Sequence, residues 1–384
     1  MRRATAIAAF CAAYGRGYFS QHGLAAGVRR KTRPLRALLF ALAAAVVLLA
    51  GCGGGGSQAP ERPAGGEHES VAKTSPEAAK KPAPIQREVG TSVESWKGAS
   101  DAGLILAEER GYFGDVGISP FVGVPINPRQ TVRYVVDGTD DIGVASQAEV
   151  AIARARGAPI VAIGSLVPQP TAALIWMKNS GIAGIADLRG KTVAIPGVAY
   201  QEALLEAVLN QHGLSLKDVK LKSVGYKLVP ALLKGKADAI FGGSWNVEGI
   251  ELKSLGRHPV IRRVQRLGIP PYEEAVLIAR TDEVKKQPGL IRRFMSALAR
   301  GTTAALEHPA ATVKILEAAP ERNPELSPGM TAAEVKATLP LLSRTGAMDA
   351  GRVAGLVRWL HEEELIQKEV PVSQLLTSRF VGSS

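Results

Sequence analysis

From Glu88 onward, short runs with the two-residue period of strands alternate with segments of helical period. Glu88–Ser95 reads as a strand. Asp101–Arg110 reads as an amphipathic helix capped by Asp101 and stopped by Gly111. Asp141–Ala145 predicts a short strand, and Ser146-Gln147-Ala148-Glu149 has the spacing of a capping box that opens a helix to about Arg156. Ile160–Gly164, Ala173–Met177, Lys191–Ile195, Ala237–Phe241, Val260–Val264 and Ala275–Ala279 are further strand-like runs. Helices are expected from about Ala199 and over Leu228–Leu233, where Gly235 is the stop. Beyond residue 280 the pattern is nearly all helical: Pro288–Glu307, Ala310–Ala319, Thr331–Leu342 and Asp349–Glu364.

Alternating strand and helix predicts an α/β fold with parallel sheets. The order of elements adds a division into two lobes. Lobe 1 is expected over 87–180 plus 270–384, ending in a helical C-terminal tail, and lobe 2 over 181–269. The two crossovers are placed at Asn179-Ser180-Gly181 and Gly268-Ile269-Pro270-Pro271. A chain that crosses twice makes a cleft with a hinge at its back, and such clefts close on ligands.

The first 86 residues follow a different pattern. Arg29, Arg30, Lys31, Arg33 and Arg36 precede the apolar run 37–50, which closes on Leu49-Ala50-Gly51-Cys52. A basic then apolar leader with a small-residue cleavage site predicts a lipoprotein signal over 1–51, with Cys52 lipidated. The run is shorter than the roughly 20 residues of a spanning helix. Residues 52–86, rich in Gly, Pro, Ser, Glu and Lys, have little to bury and predict a flexible tether. The mature protein is therefore expected outside the cytoplasm, lipid-anchored to the cell membrane.

The leader also explains the charge. The formal net charge of +12 includes eight Arg/Lys and no Asp/Glu in residues 1–51, so the remainder is only mildly basic. No basic block interleaves with aromatics, and nucleic acid is excluded as a partner. Of the two cysteines, Cys11 lies in the leader and Cys52 at the lipidation site, which leaves no disulfide, thiol nucleophile or Cys metal site beyond them. The later histidines have no metal-ligand spacing, and neither metal nor cofactor is expected.

Several segments carry a family likeness: Ala107-Glu108-Glu109-Arg110-Gly111-Tyr112-Phe113, Asp187–Gly197, Val224-Gly225-Tyr226 with Leu228–Leu233, and above all Asp238–Gly249 with Trp245-Asn246-Val247-Glu248-Gly249 after a Gly-Gly turn. Gly268-Ile269-Pro270 with Tyr272 and Glu274 supports it. Over residues 87–380 the chain resembles extracytoplasmic solute-binding proteins of ABC importers. Within them it is similar to the branch shared by thiamine-pyrimidine-precursor binding proteins and the fungal pyrimidine synthases. That resemblance implies a two-lobe periplasmic-binding-protein-like fold of type II and a small-molecule ligand delivered to an ABC permease and its ATPase. Where many relatives carry a histidine, this chain has Asp101, and it lacks the Cys-rich motif of the synthases, so no catalytic residue is expected.

In α/β folds ligands sit beyond the carboxyl ends of strands. That rule selects Trp96, Asp101, Ser146, Gln147, Gln169, Tyr200, Trp245, Asn246, Glu248 and, after the second crossover, Glu274 as candidate ligand contacts. Trp96, Tyr200 and Trp245 can stack on a flat ring. Asn246, Gln147 and Gln169 offer donors and acceptors, and Glu248 and Asp101 can accept from an exocyclic amino group. Ser146 and Asp101 have structural alternatives as helix caps. The expected ligand is a heterocycle such as a pyrimidine precursor of thiamine, with a flavin or an alkanesulfonate as alternatives. A synthase-like enzyme and a signalling lipoprotein are the competing classes. A monomer is expected.

Overall fold

The computed structural model describes residues 87–382 apart from 325, 327 and 328. The expected leader, the Cys52 lipidation site and the tether lie outside the described residues. Ten strands form among the described residues: β1 (Arg87–Ser92), β2 (Ile118–Gly123), β3 (Ile142–Ala145), β4 (Ile160–Val167), β5 (Ala172–Met177), β6 (Thr192–Ile195), β7 (Lys220–Ser223), β8 (Ala239–Ser244), β9 (Pro259–Arg263) and β10 (Ala275–Arg280). They build two five-stranded sheets, ordered β2-β1-β3-β10-β4 and β7-β6-β8-β5-β9. Each sheet is the floor of one lobe.

The sheets are mixed, which corrects the expectation of parallel ones. In the first, β1 runs parallel to β2, from Arg87 opposite Ile118 to Ser92 opposite Gly123, and parallel to β3. β10 is antiparallel to both β3 and β4. In the second, β6 is parallel to β7 and β8, while β5 is antiparallel to β8 and β9. β5 and β10 are the strands that arrive directly from the other lobe. Without a helical crossover behind them, nothing obliges them to run parallel.

The first crossover also lies elsewhere than expected. β4 ends in the first sheet at Val167 and β5 begins in the second at Ala172, so the chain passes at Pro168-Gln169-Pro170-Thr171. Asn179-Ser180-Gly181 is a turn inside the second lobe, where Ser180 N donates to Met177 O at 2.9 Å. Pro168 and Pro170 supply no ladder donors, which suits a passage between sheets. The chain returns between β9 and β10.

Each lobe has its own core. Val89, Ile163, Leu277 and Phe294 belong to that of the first, with the Phe113 and Phe294 rings 4.8 Å apart. Ile175, Ala194, Leu232, Ile240 and Leu252 belong to that of the second. Trp176 is fully buried, its indole N–H donating to Ile182 O at 2.7 Å. The 20-residue helix Pro288–Glu307 places proline in its first turn, where an amide donor is dispensable. It crosses the helix Ala102–Glu109 so closely that a Cβ on Gly301 would lie 2.1 Å from Gly103 O. Among the described residues no helix is long and apolar enough to cross a membrane.

Candidate ligand-binding cavity

The loops that follow the strands converge on a cavity of about 170 Å³ between the lobes. From the first lobe, the segment after β1 contributes Glu94, Trp96 and Asp101. The crossovers contribute Thr171 and Glu274. The second lobe contributes Tyr200 after β6, Tyr226 after β7, and Ser244 and Glu248 at the end of β8 and beyond it. The tail helix Met330–Thr338 adds Glu334.

Contacts from both lobes hold the cleft shut. The Tyr200 hydroxyl donates to Glu94 Oε1 at 3.1 Å and accepts from Gln201 Nε2 at 3.2 Å. The Trp96 and Tyr226 rings meet across the cleft at 5.1 Å, tilted by 48°. The Tyr226 hydroxyl donates to Pro125 O at 3.2 Å, and the Arg129 guanidinium donates to Gly197 O. At the back, Glu274 Oε2 accepts from the amides of Thr171 and, at 2.9 Å, Ala172, which ties one crossover to the other. Its neighbour Glu273, fully buried, accepts from Ser165 Oγ at 2.7 Å and from Asp349 N at 3.2 Å. Arg352 reaches Glu273 Oε1 at 3.4 Å and also donates to Pro168 O.

The wall is acidic. Burial first, then the charges of Glu149 and Glu274, push the Glu94 carboxyl well above the usual carboxylate range, against the Tyr200 hydrogen bond. Burial lifts Asp101 to about 7, opposed by a hydrogen bond from the Gly98 backbone and by the Lys97 charge. It also raises Glu274 and Glu248, although Ser244 N donates to Glu248 Oε2 at 2.6 Å. Burial and then the charges of Glu248 and Glu251 lift Glu334 to about 8. Lys97 is the one Lys or Arg on the wall among the described residues, and it pairs with Glu321 at 3.5 Å.

Trp96, Asp101, Tyr200, Glu248 and Glu274 thus line the cavity together. Asp101 occupies the expected cap position but makes no side-chain cap hydrogen bond. Five candidates do not line it. Trp245 packs beside the second-lobe core with the Arg263 guanidinium 4.0 Å from its ring centre. Asn246 is fully buried and donates to Thr338 Oγ1 at 2.8 Å. Ser146 is buried, its Oγ accepting from Ala148 N at 3.3 Å as a helix cap. Gln147 is buried, with its backbone N–H donating to Glu273 O at 3.0 Å. Gln169 is exposed on the first crossover.

Glu94, Tyr226 and Glu334 were not among the candidates. Glu94 falls within the expected strand Glu88–Ser95, yet β1 stops at Ser92 and frees it for the loop. Tyr226 follows β7, whose Lys-Leu-Lys-Ser sequence lacks a strand pattern because it is an exposed edge. Glu334 comes from a distant helix, and no local signal marks it.

Comparison with known proteins agrees with this architecture. A protein of Haemophilus influenzae named for thiamine biosynthesis is 28% identical over 275 residues, covering 71% of this chain and 86% of its own. The formylaminopyrimidine-binding protein of Halalkalibacterium halodurans is 28% identical over 213 residues, 56% of this chain and 64% of that one. A 4-amino-5-hydroxymethyl-2-methylpyrimidine phosphate synthase of Schizosaccharomyces pombe is 28% identical over 224 residues, 55% of this chain and 63% of that one. The chain thus spans just under two thirds of the length of the latter two. Among solved structures, the alkanesulfonate-binding protein SsuA of Xanthomonas axonopodis pv. citri, bound to MOPS, superposes with a TM-score of 0.60 at 18% identity over 77% of this chain and 99% of that one. Such likenesses show the periplasmic-binding-protein fold. The profile of the NMT1/THI5 like family matches residues 99–312, and the chain belongs to that family.

Proposed function

We propose that this protein is the extracytoplasmic substrate-binding component of an ABC importer and captures a pyrimidine precursor of thiamine. The observation that carries the reading is the cavity wall: carboxyl groups of Glu94, Asp101, Glu248 and Glu274 beside the aromatic rings of Trp96, Tyr200 and Tyr226. Such a wall accepts N–H groups from the edge of an aminopyrimidine and packs against its faces. The relatives named for formylaminopyrimidine binding and thiamine biosynthesis support the same class.

The wall disfavours an alkanesulfonate. A sulfonate would meet several carboxyl groups, and Lys97 is committed to Glu321. In this reading the ligand bridges both lobes, stabilises the shut form and so presents a surface to a permease and its ATPase. Lipid on Cys52 would hold the monomer at the membrane.

Calorimetric titration of the full-length chain tests this, with formylaminopyrimidine, hydroxymethylpyrimidine, thiamine, riboflavin and taurine. A Kd of about 1 μM or tighter for a pyrimidine alone is expected. Binding of taurine or riboflavin instead would replace the ligand.

A further inference from the structure

We propose that the end of the cavity walled by Glu334 is a subsite for a protonated amine. Within the pyrimidine class proposed above, on which this rests, the protein then selects an aminomethyl over a hydroxymethyl substituent.

Glu334 sits on the tail helix Met330–Thr338, and Glu248 and Glu251 on the helix Glu248–Ser254 of the second lobe. These helices pack together, and the Asn246 amide donating to Thr338 Oγ1 links the segment before the second helix to the end of the first. All three carboxyl side chains line the cavity. Glu334 is 4% exposed, and its Oε1 has no hydrogen-bond partner. An unpartnered buried acceptor destabilises the empty site, and a ligand donor would remove that cost. The charges of Glu248 and Glu251 act on Glu334, whereas Lys97 acts on Asp101 and Glu108. Among the described residues no three such groups are arranged to hold a metal ion. The complement is a small organic cation with several N–H donors. An ammonium there takes Glu334 as the carboxylate, displacing the proton that burial and the charges of Glu248 and Glu251 otherwise keep on it up to about pH 8, and makes charge-assisted hydrogen bonds with it.

The test is calorimetric titration of the full-length chain and its E334Q variant at about pH 7. The two probes are 4-amino-5-aminomethyl-2-methylpyrimidine and 4-amino-5-hydroxymethyl-2-methylpyrimidine. The expected result is a preference for the amine of about tenfold or more in the unaltered chain, falling below about threefold in E334Q. Equal affinities in the unaltered chain, or a preference that survives in E334Q, overturn the subsite. E251Q is the second variant and should also reduce the preference. If neither pyrimidine binds, the ligand reading fails separately, and thermal shifts with benzylamine and benzyl alcohol judge the subsite. Stabilisation by the amine alone, lost in E334Q, sustains it; its absence overturns it.

Discussion

Tyr200 of the second lobe donates its hydroxyl to the Glu94 carboxyl of the first at 3.1 Å, a bond that joins the two lobes across the cleft. Tyr200→Phe keeps the ring and removes the bond. The loss of about 1–2 kcal/mol is expected to weaken pyrimidine binding by about tenfold in calorimetry. Solution scattering of the ligand-free variant should show a larger radius of gyration.

The aromatic side chains divide by role. Trp96→Ala and Tyr226→Ala, at the ring pair across the cleft, should each lower affinity by about tenfold, with little change in the urea midpoint. Trp245→Ala should do the reverse, because its ring packs beside the second-lobe core under Arg263. A partly buried ring implies a loss of about 2 kcal/mol in urea unfolding, below the 3–5 kcal/mol of a fully buried one. Affinity loss in Trp245→Ala at unchanged stability would reverse this division.

Acid groups on the wall set a pH dependence. Asp101 is lifted to about 7 and Glu334 to about 8, both first by burial. The unfolded chain releases these protons near the ordinary values of about 4. Between there and about pH 8 the native state binds more protons, so stability is fullest in mild acid and falls as pH rises. Thermal melts of the ligand-free protein at about pH 5 and pH 8 should show the decline, and D101N and E334Q should each flatten it.

The crossing of the helices Ala102–Glu109 and Pro288–Glu307 tolerates no added methyl. A Cβ on Gly301 would meet backbone, at 2.1 Å from Gly103 O. Gly301→Ala should therefore destabilise the protein by about 1–3 kcal/mol in urea unfolding, despite the better helix propensity of alanine.

Much of the fold is legible locally. Ser146 caps its helix, Trp176 is core, and Pro288–Glu307 is one helix as the pattern predicts. The missed strands are β2, which carries Pro120 at a sheet edge, and β7, an edge with little buried surface. Neither needs the alternation that marks a half-buried strand. The first crossover was legible in Pro168 and Pro170, but the β-rich runs on either side read as neighbours in one sheet. Sequence placed five candidates on the cavity because loops after strands are local features. Asn246 and Trp245 lie off the cavity because the direction of a side chain within a loop is decided by what packs on it. Glu334 depends wholly on tertiary docking.

The staple at the back of the cleft has a mechanical meaning. Glu274 is both a wall of the cavity and the clasp on the Thr171 and Ala172 amides. Behind it Arg352 grips Pro168 O and Glu273, one partner on each crossover. A ligand that engages Glu274 therefore pushes at the fulcrum rather than at the rim. In the proposed binding role, a small displacement there would act through the full length of the lobes, so the cargo would be weighed where the lever arm is shortest and the result displayed where it is longest.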